Sequence, residues 1–207
     1  MNTTTTALQQ APTKGFPALL DRMKDQIANA LPSHMNPKRM LRIVLTCYRM
    51  TPKLALCDEM SVLSAVVQAA QIGLAPGLMG QAYLVPYGRE CQLIPGYRGL
   101  IDLVRRSGAI TDIYANVVHA KDHFLYQTGL DLTLEHTPYD GDDDPGPATK
   151  VYAVAKLKDG GHHVEVMYRR DVEKIRDATM AWKKGYETPW RTFPEEMWRK
   201  TVLRRIC

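Results

Sequence analysis

A chain of 207 residues is long enough to bury a substantial core, and with 45% hydrophobic and 24% charged residues it reads as globular rather than wholly disordered or fibrous. No run approaches the roughly 18 apolar residues of a membrane span, and the Thr-rich start lacks the basic-then-apolar order of a secretory signal, so a cytoplasmic protein with no membrane partner is expected. A formal charge of +5 favours a polyanionic partner only weakly, so where the charge sits matters more than its sum.

Residues 1–15 hold almost no large apolar side chain and are expected to form a flexible arm ahead of a single domain over residues 16–207. In residues 17–31, Leu19, Leu20, Met23, Ile27 and Leu31 recur at helical spacing, which predicts one helix ending before Pro32. Asn36 before Pro37 has the form of an N-cap with proline at the first helical position, and Thr51-Pro52 stops that second helix. Asp58 caps a third, with Val62, Leu63, Val66, Val67 and Ala70 as its buried stripe and Gly73 as its C-terminal break.

The period then changes. Residues 82–87 and 90–94 are short apolar runs around Gly88-Arg89, the pattern of a β-hairpin. A helix is expected over about residues 99–107, followed by strands at 111–119, 123–128, 131–136, 150–157 and 162–168 in one antiparallel sheet. Residues 138–147, rich in Asp, Gly and Pro, read as an exposed loop whose acids would repel a phosphate backbone. Helical spacing returns after Arg170, and a last helix opens at Pro194 with Glu195 and Glu196 in its first turn.

Three clusters carry chemistry. On a helix, Arg98, Asp102, Arg105 and Arg106 share one polar face, and Tyr97 beside them offers a ring for base stacking; guanidinium forks suit phosphate oxygens. The competing reading is a solvated face with an Asp102–Arg106 ion pair. In the last helix Lys200 and Arg204 lie four residues apart with Arg199 and Arg205 flanking, where cations also complement the helix dipole. Upstream, Lys183, Lys184, Tyr186, Trp190 and Arg191 interleave basic and aromatic groups, as a strand-binding segment would, although Trp190 equally fits a core anchor. Lys156 and Lys158 on one strand and His162 and His163 on the next bracket a turn at Asp159-Gly160-Gly161.

No catalytic constellation stands out. Asp122-His123, Glu135-His136 and His162-His163 are ligand types without a recognised metal or nuclease spacing, and the four cysteines form no C-x-x-C pair. The glycines of residues 73–80 lack the Gly-Lys-Ser/Thr of a Walker loop, so ATP-driven chemistry is not expected.

Over residues 92–108 the sequence closely resembles the RecT family of phage and prophage single-strand DNA annealing proteins, or recombinases. The resemblance continues through residues 60–77, 82–86, 122–136 and 151–161, then Trp190, Glu196-Met197 and residues 200–205. It implies an α+β, RecT/Redβ-like annealing-protein core, with a β-hairpin and antiparallel sheet packed on a central helix and framed by helices. It implies ATP-independent annealing of complementary strands in recombination and repair, by a homo-oligomeric ring or helical filament that holds single-stranded DNA, and the annealed duplex intermediate, in a basic groove. Magnesium assists such reactions by screening phosphates, and no cofactor is required. By position, Arg98, Arg105, Arg106, Lys200, Arg204 and Arg205 are the groove residues the resemblance points to.

One departure bears on partners. Family members ordinarily continue into a polar C-terminal region associated with docking to a 5′–3′ exonuclease and to the host single-strand binding protein, whereas this chain ends at Cys207. Those two partnerships are therefore less firmly expected than DNA itself. The alternatives are a passive single-strand-binding oligomer or truncated prophage remnant and, less favoured, a metal-dependent nuclease built on the histidines.

Overall fold

A computed structural model describes residues 15–207, in which helix and antiparallel sheet mix as an α+β core; the arm expected over residues 1–15 lies, except for Gly15, outside the described residues. The chain divides into two compact units, one ending at Gly99 and the other spanning Leu100–Cys207.

The first unit opens with α1 (Phe16–Arg22) and α2 (Lys24–Ala30). These replace the single helix expected over residues 17–31, because Met23, at φ −94° and ψ 3°, leaves the helical basin between them. Their apolar stripe stays aligned: Phe16, Leu20 and Ile27 are all buried. Helix α3 (Pro37–Met50) begins as the sequence predicts, the Asn36 side chain accepting from Arg39 N at 3.1 Å. After a 3₁₀ turn, α4 (Glu59–Ile72) is capped by Asp58, which accepts from Ser61 N at 2.9 Å, and closed by Gly73 in the left-handed region (φ 67°). Apart from its first turn and an exposed stripe of Ser64, Gln68 and Gln71, α4 is apolar, and its Val62, Val66 and Ala69 belong to the same core cluster as Met40, Val44 and Phe16.

Strands β1 (Ala82–Tyr87) and β2 (Glu90–Pro95) form the expected hairpin, with Gly88 at φ 60° in its two-residue turn. Two hydrogen bonds fasten the hairpin to α4: Asp58 N donates to the Arg89 carbonyl at 2.7 Å, and Cys91 N donates to Ser61 Oγ at 3.0 Å. Helix α5 (Tyr97–Arg106) then starts two residues earlier than expected. Its first turn meets backbone directly: Gly96 N donates to the Gln81 carbonyl at 2.8 Å, and Gly99 is buried beneath the same carbonyl.

In the second unit β3 (Ile110–His119), β6 (Ala148–Leu157) and β7 (His162–Tyr168) form an antiparallel sheet in the order β3-β6-β7. The central strand has both faces covered, and its five residues from Val151 to Ala155 are accordingly all buried, whereas β3 and β7 are buried only in part. The sequence places β4 (His123–Gln127) and β5 (Thr133–Thr137) in this same sheet, but they pair only with each other. Local periodicity gives a strand's existence and not its partner.

The separate hairpin covers one face of the sheet, with Phe124 and Leu134 packed on Val118, Tyr152 and Val154. On the other face Val117, Val151, Ala153 and Met167 pack under α6 (Arg169–Ala178), α8 (Pro189–Thr192) and α9 (Pro194–Ile206), which contribute Val172, Trp190, Trp198 and Val202. A short helix, α7 (Met180–Lys183), joins α6 to the loop before α8. Among the described residues no helix is long and apolar enough to cross a membrane.

Candidate nucleic-acid interface

Two of the predicted basic clusters meet at one end of the second unit. Helix α5 ends in Arg105 and Arg106, and Gly108 N returns to the Arg105 carbonyl at 3.1 Å to close it. Beyond the closure, the turn between β6 and β7 comes alongside: Lys158 N donates to the Ala109 carbonyl at 3.0 Å, and Lys158 Nζ lies 3.5 Å from where a Cβ on Gly108 would stand. Lys156, one pleat back, is paired across the sheet with His162. The end of the sheet therefore gathers Arg105, Arg106, Lys156, Lys158 and His162.

These cations are not equivalent. Arg106 Nε sits 3.1 Å from Asp102 Oδ2, so the ion pair weighed from sequence is present. Arg105 and Lys158 are exposed and have no carboxylate partner among the described residues. Lys156 Nζ rests 5.8 Å from the centroid of the Tyr114 ring. A guanidinium and an ammonium with no acid to neutralise them keep their charge for an anion.

At the other end of α5, Arg98 Nε donates to Tyr97 Oη at 3.3 Å and its guanidinium stands 5.9 Å from the Tyr97 ring. Both residues belong to the first unit, where Arg98 also passes close to Gly80. Their placement depends on Gly96 and Gly99, which let the helix's first turn touch the backbone of residues 80–81. Local spacing gives no sign of this requirement, because the backbone that Gly96 and Gly99 approach lies in a separate segment of the chain.

The cluster on α9 stands apart. Arg205 Nε pairs with Glu165 Oε1 at 2.6 Å, which ties the helix to β7 and gives this arginine a structural occupation. Arg204 is exposed, and Lys200 is half-buried without an ion-pair partner among the described residues. Trp190 takes the core-anchor alternative: it is 8% exposed and packs in the core under the sheet, so it offers no open face to a base. The Arg191 guanidinium lies 4.2 Å from the centroid of the Trp182 ring and that of Arg176 lies 4.4 Å from it, with Arg176 also held by Glu173 and Asp177. Trp182 was not singled out from sequence, although its spacing from Arg176 and Arg191 follows only once the loop is folded.

The pairs weighed as metal ligands resolve differently. His123, Glu135, His162 and His163 are exposed. Asp122 and His136 are instead buried in a polar chain: Asp122 accepts from His119 N at 2.7 Å, Tyr139 N at 2.9 Å and His136 Nε2 at 3.0 Å, while His136 Nδ1 meets Tyr152 Oη at 3.1 Å. Burial alone would raise the Asp122 pKa, but the backbone donors of His119 and Tyr139 and the His136 ring outweigh it and bring it down to about 2. His119 Nε2 extends the chain to Glu195 at 3.1 Å, and Glu195 to Arg199 at 3.2 Å. Strand alternation was the usable signal here, since it turns His136 inward and Glu135 outward. Among the described residues no group of three or more His, Cys, Asp or Glu is placed to hold a metal ion.

Comparison with known proteins decides the family, because the RecT family profile matches residues 38–207. The chain belongs to the RecT family. It is 48% identical over 193 residues to Protein RecT of Escherichia coli (strain K12), covering 89% of this chain and 70% of that protein. It is 28% identical over 165 residues to the uncharacterized protein YqaK of Bacillus subtilis (strain 168), covering 79% of this chain and 55% of that one. The resemblance carried by residues 92–108 is thus a family membership, and the protein is a DNA-binding recombination protein of the RecT type, in a family whose members anneal strands rather than act as classical enzymes.

Proposed function

We propose that the protein binds single-stranded DNA and anneals it to a complementary strand without ATP, as a homo-oligomer whose subunits continue one basic groove. The observation that carries the reading beyond family membership is the convergence of Arg105, Arg106, Lys156 and Lys158 at one end of the second unit, three of them free of carboxylate partners among the described residues. Annealing needs a grip that ignores sequence: cations hold phosphates while base edges stay available to test a partner. Repeating a small footprint along a polymer turns weak single contacts into tight binding. Magnesium assists by screening the two strands' phosphates and is not a required cofactor.

Two measurements test this. Two complementary labelled oligonucleotides, mixed with the protein in the absence of ATP, should pair faster than they do spontaneously and remain intact; binding without acceleration would leave a passive single-strand binder. Replacing both Arg105 and Lys158 by alanine should weaken single-strand binding and lower the slope of log K against log salt by about 1.4, at about 0.7 per lost phosphate contact. Both residues are exposed, so thermal unfolding should be unchanged; an unaltered salt slope would remove this end of the sheet from the groove.

A further inference from the structure

The hairpin β4–β5 covers only part of the sheet face beneath it. Pairing within the hairpin ends at Gln127 opposite Thr133, and beyond that its loop leaves Leu130 fully exposed. The sheet continues past this limit. Cross-strand register sets Tyr114, Val154 and Val164 side by side in one row on the covered face, and the next row brings Lys156 beside His162. Leu132 and Leu134 close the side, and the resulting trough is open and has a volume of about 380 Å³, within the ~300–1,000 Å³ typical of ligand sites. Asp112 shares the row of Lys156, but its carboxylate turns back to accept from Ile113 N at 2.8 Å and does not line the trough.

We propose that this trough is a nucleobase subsite for the bound single strand. A base has a planar, weakly polar face on every repeat of a polyanionic chain. The trough matches both properties: an aromatic ring and four aliphatic side chains form its floor and wall, and its rim is cationic. It is also continuous with the basic end of the sheet, since Lys156 belongs to both. The ammonium of Lys156 lies over the Tyr114 ring; a base entering against Tyr114 moves the lysine outward onto that nucleotide's phosphate, so one lysine guards the ring and then clamps the backbone. The chain thereby holds one base out of the row being tested by the second strand, which separates gripping from pairing.

The inference rests on the single-strand reading above, and its test distinguishes the two. Wild-type protein and the variants Tyr114→Leu and Lys156→Gln are titrated with a thymidine oligonucleotide and with an abasic sugar-phosphate chain of the same length, and a 4-thiothymidine oligonucleotide is photo-crosslinked to the wild type. Wild type should prefer the thymidine chain, Tyr114→Leu should lower that affinity by roughly fivefold or more while leaving the abasic chain unchanged, and the crosslink should fall in β3 or β6. Leucine keeps the apolar packing, and Lys156 is exposed, so both variants should retain the wild-type melting temperature. An unchanged base preference in Tyr114→Leu, or crosslinks confined to α9, would overturn the subsite while single-strand binding stands. Failure of wild type to bind either chain would overturn the single-strand reading and the subsite with it. Binding of an acidic, leucine-rich peptide that the Tyr114 variant loses, with base preference unaffected, would assign the trough to a protein partner instead.

Discussion

Replacing Gly99 by alanine should destabilise the first unit by about 3 kcal/mol or more. A Cβ at this position would stand 2.1 Å from the Gln81 carbonyl oxygen, and 2.9 Å from both the Gln81 carbonyl carbon and Leu74 Cδ1. Two of those three atoms are backbone, so no rotamer change relieves the overlap. Either the first turn of α5 lifts away from residues 80–81, breaking the bond from Gly96 N to the Gln81 carbonyl, or the loop ahead of β1 moves. Gly88 provides the control: nothing lies within 4 Å of its added Cβ, and asparagine tolerates its left-handed φ of 60°, so Gly88→Asn should cost less than about 1 kcal/mol. Urea titrations of the three proteins check this, and a Gly99→Ala midpoint equal to wild type would falsify the close-approach account. Because the same turn carries Arg98, loss of single-strand affinity should accompany the loss of stability.

The second large effect belongs to Asp122. Its side chain is 2% exposed and accepts from two backbone amides and one imidazole. Alanine there would leave His119 N, Tyr139 N and the His136 ring without their acceptor in a buried place, at about 1–3 kcal/mol for each group that finds no water, so a total near 3–5 kcal/mol is expected. The pH dependence has a definite sign. With its folded pKa lowered to about 2, the carboxylate contributes stability that is complete above its ordinary value near 4 and is lost as pH falls through about 2. That contribution is about 2 kcal/mol, and about 1 kcal/mol of it is gone by pH 3. The stability gap between wild type and Asp122→Ala should therefore narrow by about 1 kcal/mol between pH 7 and pH 3, measured by urea titration at each pH. A gap independent of pH would mean that packing, and not the carboxylate, sets the cost.

Where local chemistry decided the structure, the sequence was readable. Asn36-Pro37, Asp58 with Gly73, and Gly88 each specify an end or a turn within a few residues, and α3, α4 and the β1–β2 hairpin start and stop at them. Where the outcome depended on partners far along the chain, it was not readable. The break at Met23 follows no glycine or proline, and nothing local tells β4 and β5 to leave the sheet. In the candidate site the identity of the basic clusters was legible, but their grouping was not. Arg105 and Lys158 are 53 positions apart in sequence and meet only because β3 and β6 are neighbours. Trp190 shows the converse: composition suggested a nucleic-acid contact, and the demand for apolar volume beneath the sheet placed it in the core.

The order of strands in the second unit also sets how it must fold. Strand β6 lies between β3 and β7, yet Ile110 and its partner Leu157 are separated in the chain by β4, β5 and the acidic loop. Joining β3 to β6 first closes the loop between His119 and Ala148 before any β3–β6 contact rewards it, an entropic cost that grows with the logarithm of loop length. Within the second unit the β6–β7 hairpin, joined by a tight turn, is local and forms quickly. Pairing of β3 with β6 should therefore be the slow step in building this sheet. The β4–β5 hairpin, made from local pairs within the intervening segment, shortens the effective span that the closing loop must bridge.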